Sequence, residues 1–299
     1  MISSEAIKNG ITPKNDIIFK RIFGHKGNEK ILKDLLEGIL EIKIKNVKLD
    51  LATEMLPDFY RGKSSRLDVR SELEDGTIVN VEIQTDMRGY SEKRDLGYWS
   101  ELYTNSLEKG KDYTDAKKTI CIWILDGEVY DFEKYHSKWV IAEKELGKTR
   151  YFKDFEIHVI ELKKFRKLDI IKPKKKEFWL WFIDHTREEL VKMACYSNEE
   201  VRKAKEEYDR ITADKELMSL VIAEKIDEWD KNAMIRIARE EGIERGMKKG
   251  IKKGMEKGKQ EANIETAKKM LELGAEIEFI EKATGLKRGE ILKLKENEK

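Results

Sequence analysis

The sequence predicts an α/β domain, a mixed sheet flanked by helices, followed by an all-α C-terminal region. Three observations predict it. Apolar residues recur at helical spacing over residues 12–40, then alternate in strand-like runs between 44 and 162. After Pro173 the helical spacing returns and no strand-like run follows.

Taken in order, the first helix can be capped by Thr12 or Asn15 and carries Ile17, Ile18, Phe19, Ile22 and Phe23 on one side. Asn28 can cap the second, with Ile31, Leu32, Leu35, Leu36, Ile39 and Leu40 at helical spacing. Strands are expected over 44–51, 66–73, 77–85, 118–125 and 156–162. Ser91 to Lys109 reads as a helix with Leu96, Trp99, Leu102, Tyr103 and Leu107 on its apolar side. A boundary near 172 gives a domain over 1–172, a helical region over 173–240, a glycine-repeat helical segment over 241–261 and a small helical tail over 262–299.

Charged residues make up 40% of the 299, but six Trp, ten Tyr and ten Phe exclude a disordered polyelectrolyte. The 61 Lys and Arg nearly balance 59 Asp and Glu, so a nucleic-acid partner must be argued from local patches rather than net charge. Cys121 and Cys195 are too few for a disulfide framework or a cysteine zinc site, and His25, His136, His158 and His185 form no ligand pair. No apolar stretch is long enough for a leader h-region or a membrane span, so a soluble cytoplasmic protein is the expectation.

The chemistry concentrates in Arg66 to Thr85, where RLDVRSEL and TIVNVEIQT flank EDG. A three-residue loop ending in left-handed Gly76 sets Leu73 opposite Thr77, and Val69 then meets Val81 across an apolar face. A two-residue loop would instead put Val69 against Glu82. The first register places Asp68 opposite Glu82, ~5 Å apart at Cβ, with Gln84 two residues on. Two such carboxylates repel unless a cation lies between them, and hard oxygen donors suit Mg²⁺ or Mn²⁺ over zinc. The alternation Arg66, Asp68, Arg70, Glu72 also fits a merely solvated face.

Asp68 with Glu82-Ile83-Gln84, preceded by a helix carrying Asp16, resembles the D…(D/E)xK constellation of restriction-endonuclease-like nucleases. NDIIFKRIFG, LDV, NVEIQ, Arg94 to Tyr98, Lys109-Gly110 with Tyr113, and CIWIL occur in the order of the recombination-promoting nuclease and transposase family of that superfamily. The likeness covers roughly residues 12–130. It implies a restriction-endonuclease-like fold in which Asp68, Glu82 and the Ile83 carbonyl hold a divalent metal that activates water at a phosphodiester of DNA. Gln84 stands where the superfamily carries lysine, so restoring lysine is expected to keep or raise activity. Asp16 reads either as a supporting catalytic residue or as a helix N-terminal charge. Replacing Asp68 or Glu82 by alanine is expected to abolish cleavage without altering thermal unfolding.

Gly242, Gly246, Gly250, Gly254 and Gly258 fall every fourth residue, with Ile243, Met247, Ile251 and Met255 each following a glycine. Close helix packing in a homo-oligomer, phosphate contacts by the flanking lysines and a linker all fit. The leading function is a Mg²⁺-dependent DNA endonuclease linked by the resemblance to recombination or transposition. Its rival is a catalytically silent DNA-binding or assembly protein, with Gln84 marking lost chemistry.

Overall fold

A computed structural model describes residues 10–50, 69–107, 110–146 and 150–296, and the chain divides into two compact units, 1–224 and 225–299. The first unit opens with α1 (Asp16–Phe23) and α2 (Glu29–Leu40). Asn15 caps α1 by accepting from the Ile18 amide at 3.2 Å. Asn28 does not cap α2 as the sequence suggested. Its amide turns back and donates to the Arg21 and Ile22 carbonyls at 3.3 and 3.0 Å, closing the C-terminus of α1 instead.

Strands β1 (Val47–Leu49), β2 (Val69–Leu73), β3 (Ile78–Gln84), β4 (Thr119–Leu125), β5 (His136–Trp139) and β6 (Phe155–Glu161) form one sheet in the order β1-β2-β3-β4-β6-β5. The mixed sheet flanked by helices is the predicted architecture. β1, β2 and β3 run antiparallel, β3, β4 and β6 parallel, and β5 antiparallel beside β6. The hairpin register is the one the apolar pairing required: Val69 faces Val81, Leu73 donates to the Thr77 carbonyl at 2.9 Å, and Gly76 has φ +83°. β5 was not expected, because four half-polar residues at an edge carry no alternation signal.

The central strands are buried along their whole length except Gln84. Over one face lies α3 (Glu92–Ser106), whose Leu102 joins Ile78, Cys121, Trp123, Phe155 and Val159 in a core cluster, with Tyr98 and Trp99 packed on it. Leu96, assigned to the apolar side, is half exposed, and buried Asp95 takes the inward place. On the opposite face Val69 lies against Gly24 at the end of α1.

A short α4 (Leu162–Phe165) precedes α5 (Lys175–Asp184), α6 (Glu188–Ser197) and α7 (Glu199–Ala213); α5 packs on α2, α7 on α1 and α2, and α6 against α5 and α7. α5 approaches α2 so closely that a Cβ on Gly38 would meet the Lys176 nitrogen at 3.1 Å. Trp179, fully buried, donates to Asp34 at 2.8 Å and sets its ring edge-on to Phe23. Lys14 and Arg166 converge on Asp126 and Asp184, tying the end of β4 to α5.

A chain of hydrogen bonds runs from β5 into the sheet. Lys176 donates to His136 Nδ1 at 3.2 Å, His136 Nε2 to His158 Nδ1 at 2.8 Å, and His158 Nε2 to Glu156 at 2.7 Å. Burial, then His158 and Lys176, push His136 down to about 3, and burial likewise lowers His158. Burial opposes ionisation of Glu156, yet His158 and Lys138 hold it at about 2. Between about pH 6.5 and 3 the unfolded chain therefore takes up protons that folded His136 refuses, and stability falls as pH drops. Glu156 adds stability above the ordinary carboxylate range that is lost from there down to about 2. Urea unfolding should show free energy declining from pH 7 to pH 4, with a shallower slope for His136→Gln. Equal slopes would place the titration elsewhere.

Unit 225–299 holds the C-terminal part of α8 (Lys215–Glu272), then α9 (Ile277–Thr284) and α10 (Arg288–Glu296). Gly274 and Gly285, both with positive φ, end α8 and α9 where the sequence broke them. Ala267, Ile280, Leu286 and Ile291 form the small core of this tail.

Candidate active site

β3 presents Asn80, Glu82 and Gln84 toward α3, because alternate residues of a strand share a face and Ile78 begins that series in the α3 cluster. Parallel pairing sets Cys121, Trp123 and Leu125 of β4 beside them. The face that looked polar and solvated is thus roofed: Glu82 is 3% exposed and Asn80 0%. Asn80 Nδ2 donates to Glu82 Oε1 at 2.8 Å.

Gln84 at the open end of β3 is held from two sides. Its Nε2 donates to the Asp86 carbonyl at 2.6 Å, and its Oε1 accepts from Arg94 Nη1 at 2.9 Å. Arg94 also donates to the Tyr98 hydroxyl at 3.3 Å, and its guanidinium lies 5.3 Å from the Tyr98 ring centre and 5.6 Å from that of Trp123. Helical spacing of four puts Arg94 and Tyr98 on one side of α3, and stacking on aromatic faces fixes the guanidinium plane. A guanidinium from the next helix thus stands directly against the side chain at position 84.

Asp95, one residue on and 3% exposed, accepts from the Tyr90 hydroxyl at 2.6 Å. Burial raises its carboxyl to about 6, against Tyr90 and Arg94, which favour the anion. Three buried polar atoms of this layer, Asn80 Oδ1, Asp95 Oδ1 and Trp123 Nε1, have no hydrogen-bond partner among the described residues. Oxygen donors dominate, a set that fits a hard divalent cation with its water better than zinc.

Of the residues singled out from sequence, Glu82 and Gln84 lie together on this face and Ile83 lies between them in β3. Asp68 falls outside the described residues. Asp16 is on α1, where it accepts from Lys20 at 3.0 Å across one helical turn. Among the described residues, no three His, Cys, Asp or Glu side chains come together as a metal site. Asn80, Tyr90, Arg94, Asp95 and Tyr98 escaped the sequence reading as site residues. The usable signal was an Arg and a Tyr one turn apart on a helix following the ExQ strand.

Comparison with known protein families matches residues 13–238, more than half of the chain, to the PD-(D/E)XK nuclease family transposase. The chain belongs to this family. The match reaches from α1 through the sheet and α7 into α8, so the helices stacked on α1 and α2 are part of what this nuclease-family chain shares with its kin. Neither curated proteins nor solved structures return a match. No helix among the described residues is long and apolar enough to cross a membrane.

Proposed function

We propose that the chain is a metal-dependent DNA endonuclease acting in the cytoplasm on recombining or transposing DNA. The observation that carries the reading is the arginine from α3 set on Gln84 beside a buried carboxylate on β3. A silent relative that had lost its lysine has no reason to replace the cation in place.

Asp68, which the sequence reading sets opposite Glu82, would join Glu82 and the Ile83 carbonyl in holding Mg²⁺ or Mn²⁺. Such an ion, when bound, lowers the pKa of water and neutralises charge on phosphate. Asn80 orients the Glu82 carboxylate through its 2.8 Å hydrogen bond. Arg94, fixed by Gln84 and two aromatic rings, would offer its remaining N–H groups to the non-bridging oxygens of the scissile phosphate, whose negative charge builds in the transition state. Asp16 is assigned a supporting role from α1, since Lys20 already engages its carboxylate. The same reading includes a homo-oligomer formed through the glycine-repeat segment, 241–261.

Purified protein with supercoiled plasmid is the direct test. Nicked or linear product is expected with Mg²⁺ or Mn²⁺ and none with excess EDTA. DNA retained in a gel shift but uncut with either metal would instead support the catalytically silent DNA-binding protein.

A further inference from the structure

Residues 264–296 fold as three helix segments around one small core, in which Ala267 of α8, Ile280 of α9 and Ile291 of α10 are buried together with Leu286. Three residues, 285–287, join α9 to α10. Gly285, at φ +72°, returns its amide to the Glu281 carbonyl at 2.9 Å. Buried Thr284 donates to the Ile280 carbonyl at 2.7 Å and accepts from the Leu286 amide at 3.3 Å, which fixes the turn. Two helices joined by a short glycine turn and backed by a third form a helix-turn-helix. That arrangement sets its second helix in the major groove of DNA, with N-terminal residues at the base edges.

The charge on α10 fits that partner. With Lys287, the residue before it, α10 carries Arg288, Lys293 and Lys295 against Glu290 and Glu296, whereas α9 carries Lys282 against Glu278 and Glu281. Lys287, Arg288, Lys293 and Lys295 are exposed and form no ion pair with the described residues. Successive helical residues turn by about 100°, so with Ile291 and Leu294 inward, Gly289, Leu292 and Lys293 point outward and Arg288 and Lys295 share one flank. Glu290 lies on the other flank, its carboxylate turned back to accept from the Lys287 amide at 2.8 Å. Leu292 is 41% exposed between Arg288 and Lys293, and a Cβ added to Gly289 would meet nothing within 4 Å, so this side of the helix is open to close approach.

We propose, resting on the reading of DNA as the substrate, that this tail reads duplex sequence, with α10 in the major groove. Arg288 takes a guanine edge, since a planar guanidinium matches O6 and N7 together, and Leu292 lies against a thymine methyl group. Lys293 and Lys295, on opposite sides of that face, reach the phosphates on either wall of the groove. The groups assigned to cleavage meet metal and phosphate, which carry no sequence information. The tail supplies the choice of site that they do not.

The test uses the full chain in EDTA, so that cleavage plays no part. A pool of short duplexes with a randomised centre is selected for binding, and the recovered duplex is compared with scrambled versions of itself by fluorescence anisotropy over a salt series. The wild type should prefer the recovered duplex. Arg288→Ala should cut that preference by about 10-fold, and Leu292→Ala should relax it at a thymine. Lys295→Ala should instead weaken both duplexes alike and lower the slope of log affinity against log salt by about 1. All three side chains are exposed, so the fold of the tail is not at stake. No recovered preference, or one that Arg288→Ala and Leu292→Ala leave intact, overturns the proposal. Oligomers lost in light scattering with DNA binding unchanged would show that α10 packs against protein, and the proposal falls. A chain that keeps the Arg288-dependent preference but cuts no plasmid with either metal sinks the endonuclease reading alone; one that cuts plasmid without the preference sinks the tail's role alone.

Discussion

Glu82→Gln is expected to lower plasmid cleavage by at least ~100-fold, beyond the roughly 10- to 100-fold typical of groups that only orient a metal ligand. The amide keeps the shape of the carboxylate and can still accept from Asn80, so the local packing survives while the charge that would hold the cation is gone. Asp68→Asn should act alike. Thermal unfolding separates this from a folding defect. Metal that binds only the folded chain stabilises it by mass action, so added Mg²⁺ or Mn²⁺ should raise the wild-type Tm and leave the Glu82→Gln Tm unmoved. Wild-type cleavage by Glu82→Gln, or an undiminished metal-induced rise in Tm, would remove Glu82 from the site.

Burial also changes what alanine does at this position. Read from sequence, Glu82 projects from a solvated strand face and its removal leaves stability alone. In the fold it is 3% exposed beneath α3, and Glu82→Ala strands the Asn80 amide. An unpaired buried donor costs about 1 to 3 kcal/mol, offset in part by losing a buried charge. Glutamine is therefore the cleaner probe.

The contrast shows what the sequence could carry. The hairpin register was legible because β2 and β3 each alternate, and only one loop length pairs Val69 with Val81. The glycine breaks at 274 and 285 were legible because their backbone demand is local. The roof over the site was not, because period-two alternation reports which residues share a face and says nothing of a helix arriving from elsewhere. In α3 the apolar pattern favoured Leu96, which is half exposed, while Asp95 goes inward because Tyr90 satisfies it. A buried polar residue with a partner distant in the chain leaves no hydrophobic period to read. β5 and the His136–His158 pair were hidden for the same reason, since each depends on contacts between separate strands.

Arg94→Ala is expected to reduce cleavage by about 10² to 10³, the usual loss when one preorganised donor to a developing oxyanion is deleted. Arg94→Lys should recover only part, because an ammonium keeps the charge but neither the planar fork nor the stacking on Tyr98 and Trp123. The Arg94 contact reverses the expectation for Gln84→Lys. With Gln84 taken alone, lysine restores a missing cation and should keep or raise the rate. With Arg94 Nη1 2.9 Å from the Gln84 oxygen, lysine deletes the acceptor and sets an ammonium against a guanidinium, so the single variant should cut more slowly than wild type. In the Arg94→Ala background the repulsion is gone and the lysine returns the charge that Arg94 carried, so the double variant should exceed Arg94→Ala by about 10-fold. That sign change in a double-mutant cycle isolates the coupling between the two positions. Wild-type rates for Arg94→Ala, or a double variant no faster than Arg94→Ala, would show that α3 does not supply the missing charge.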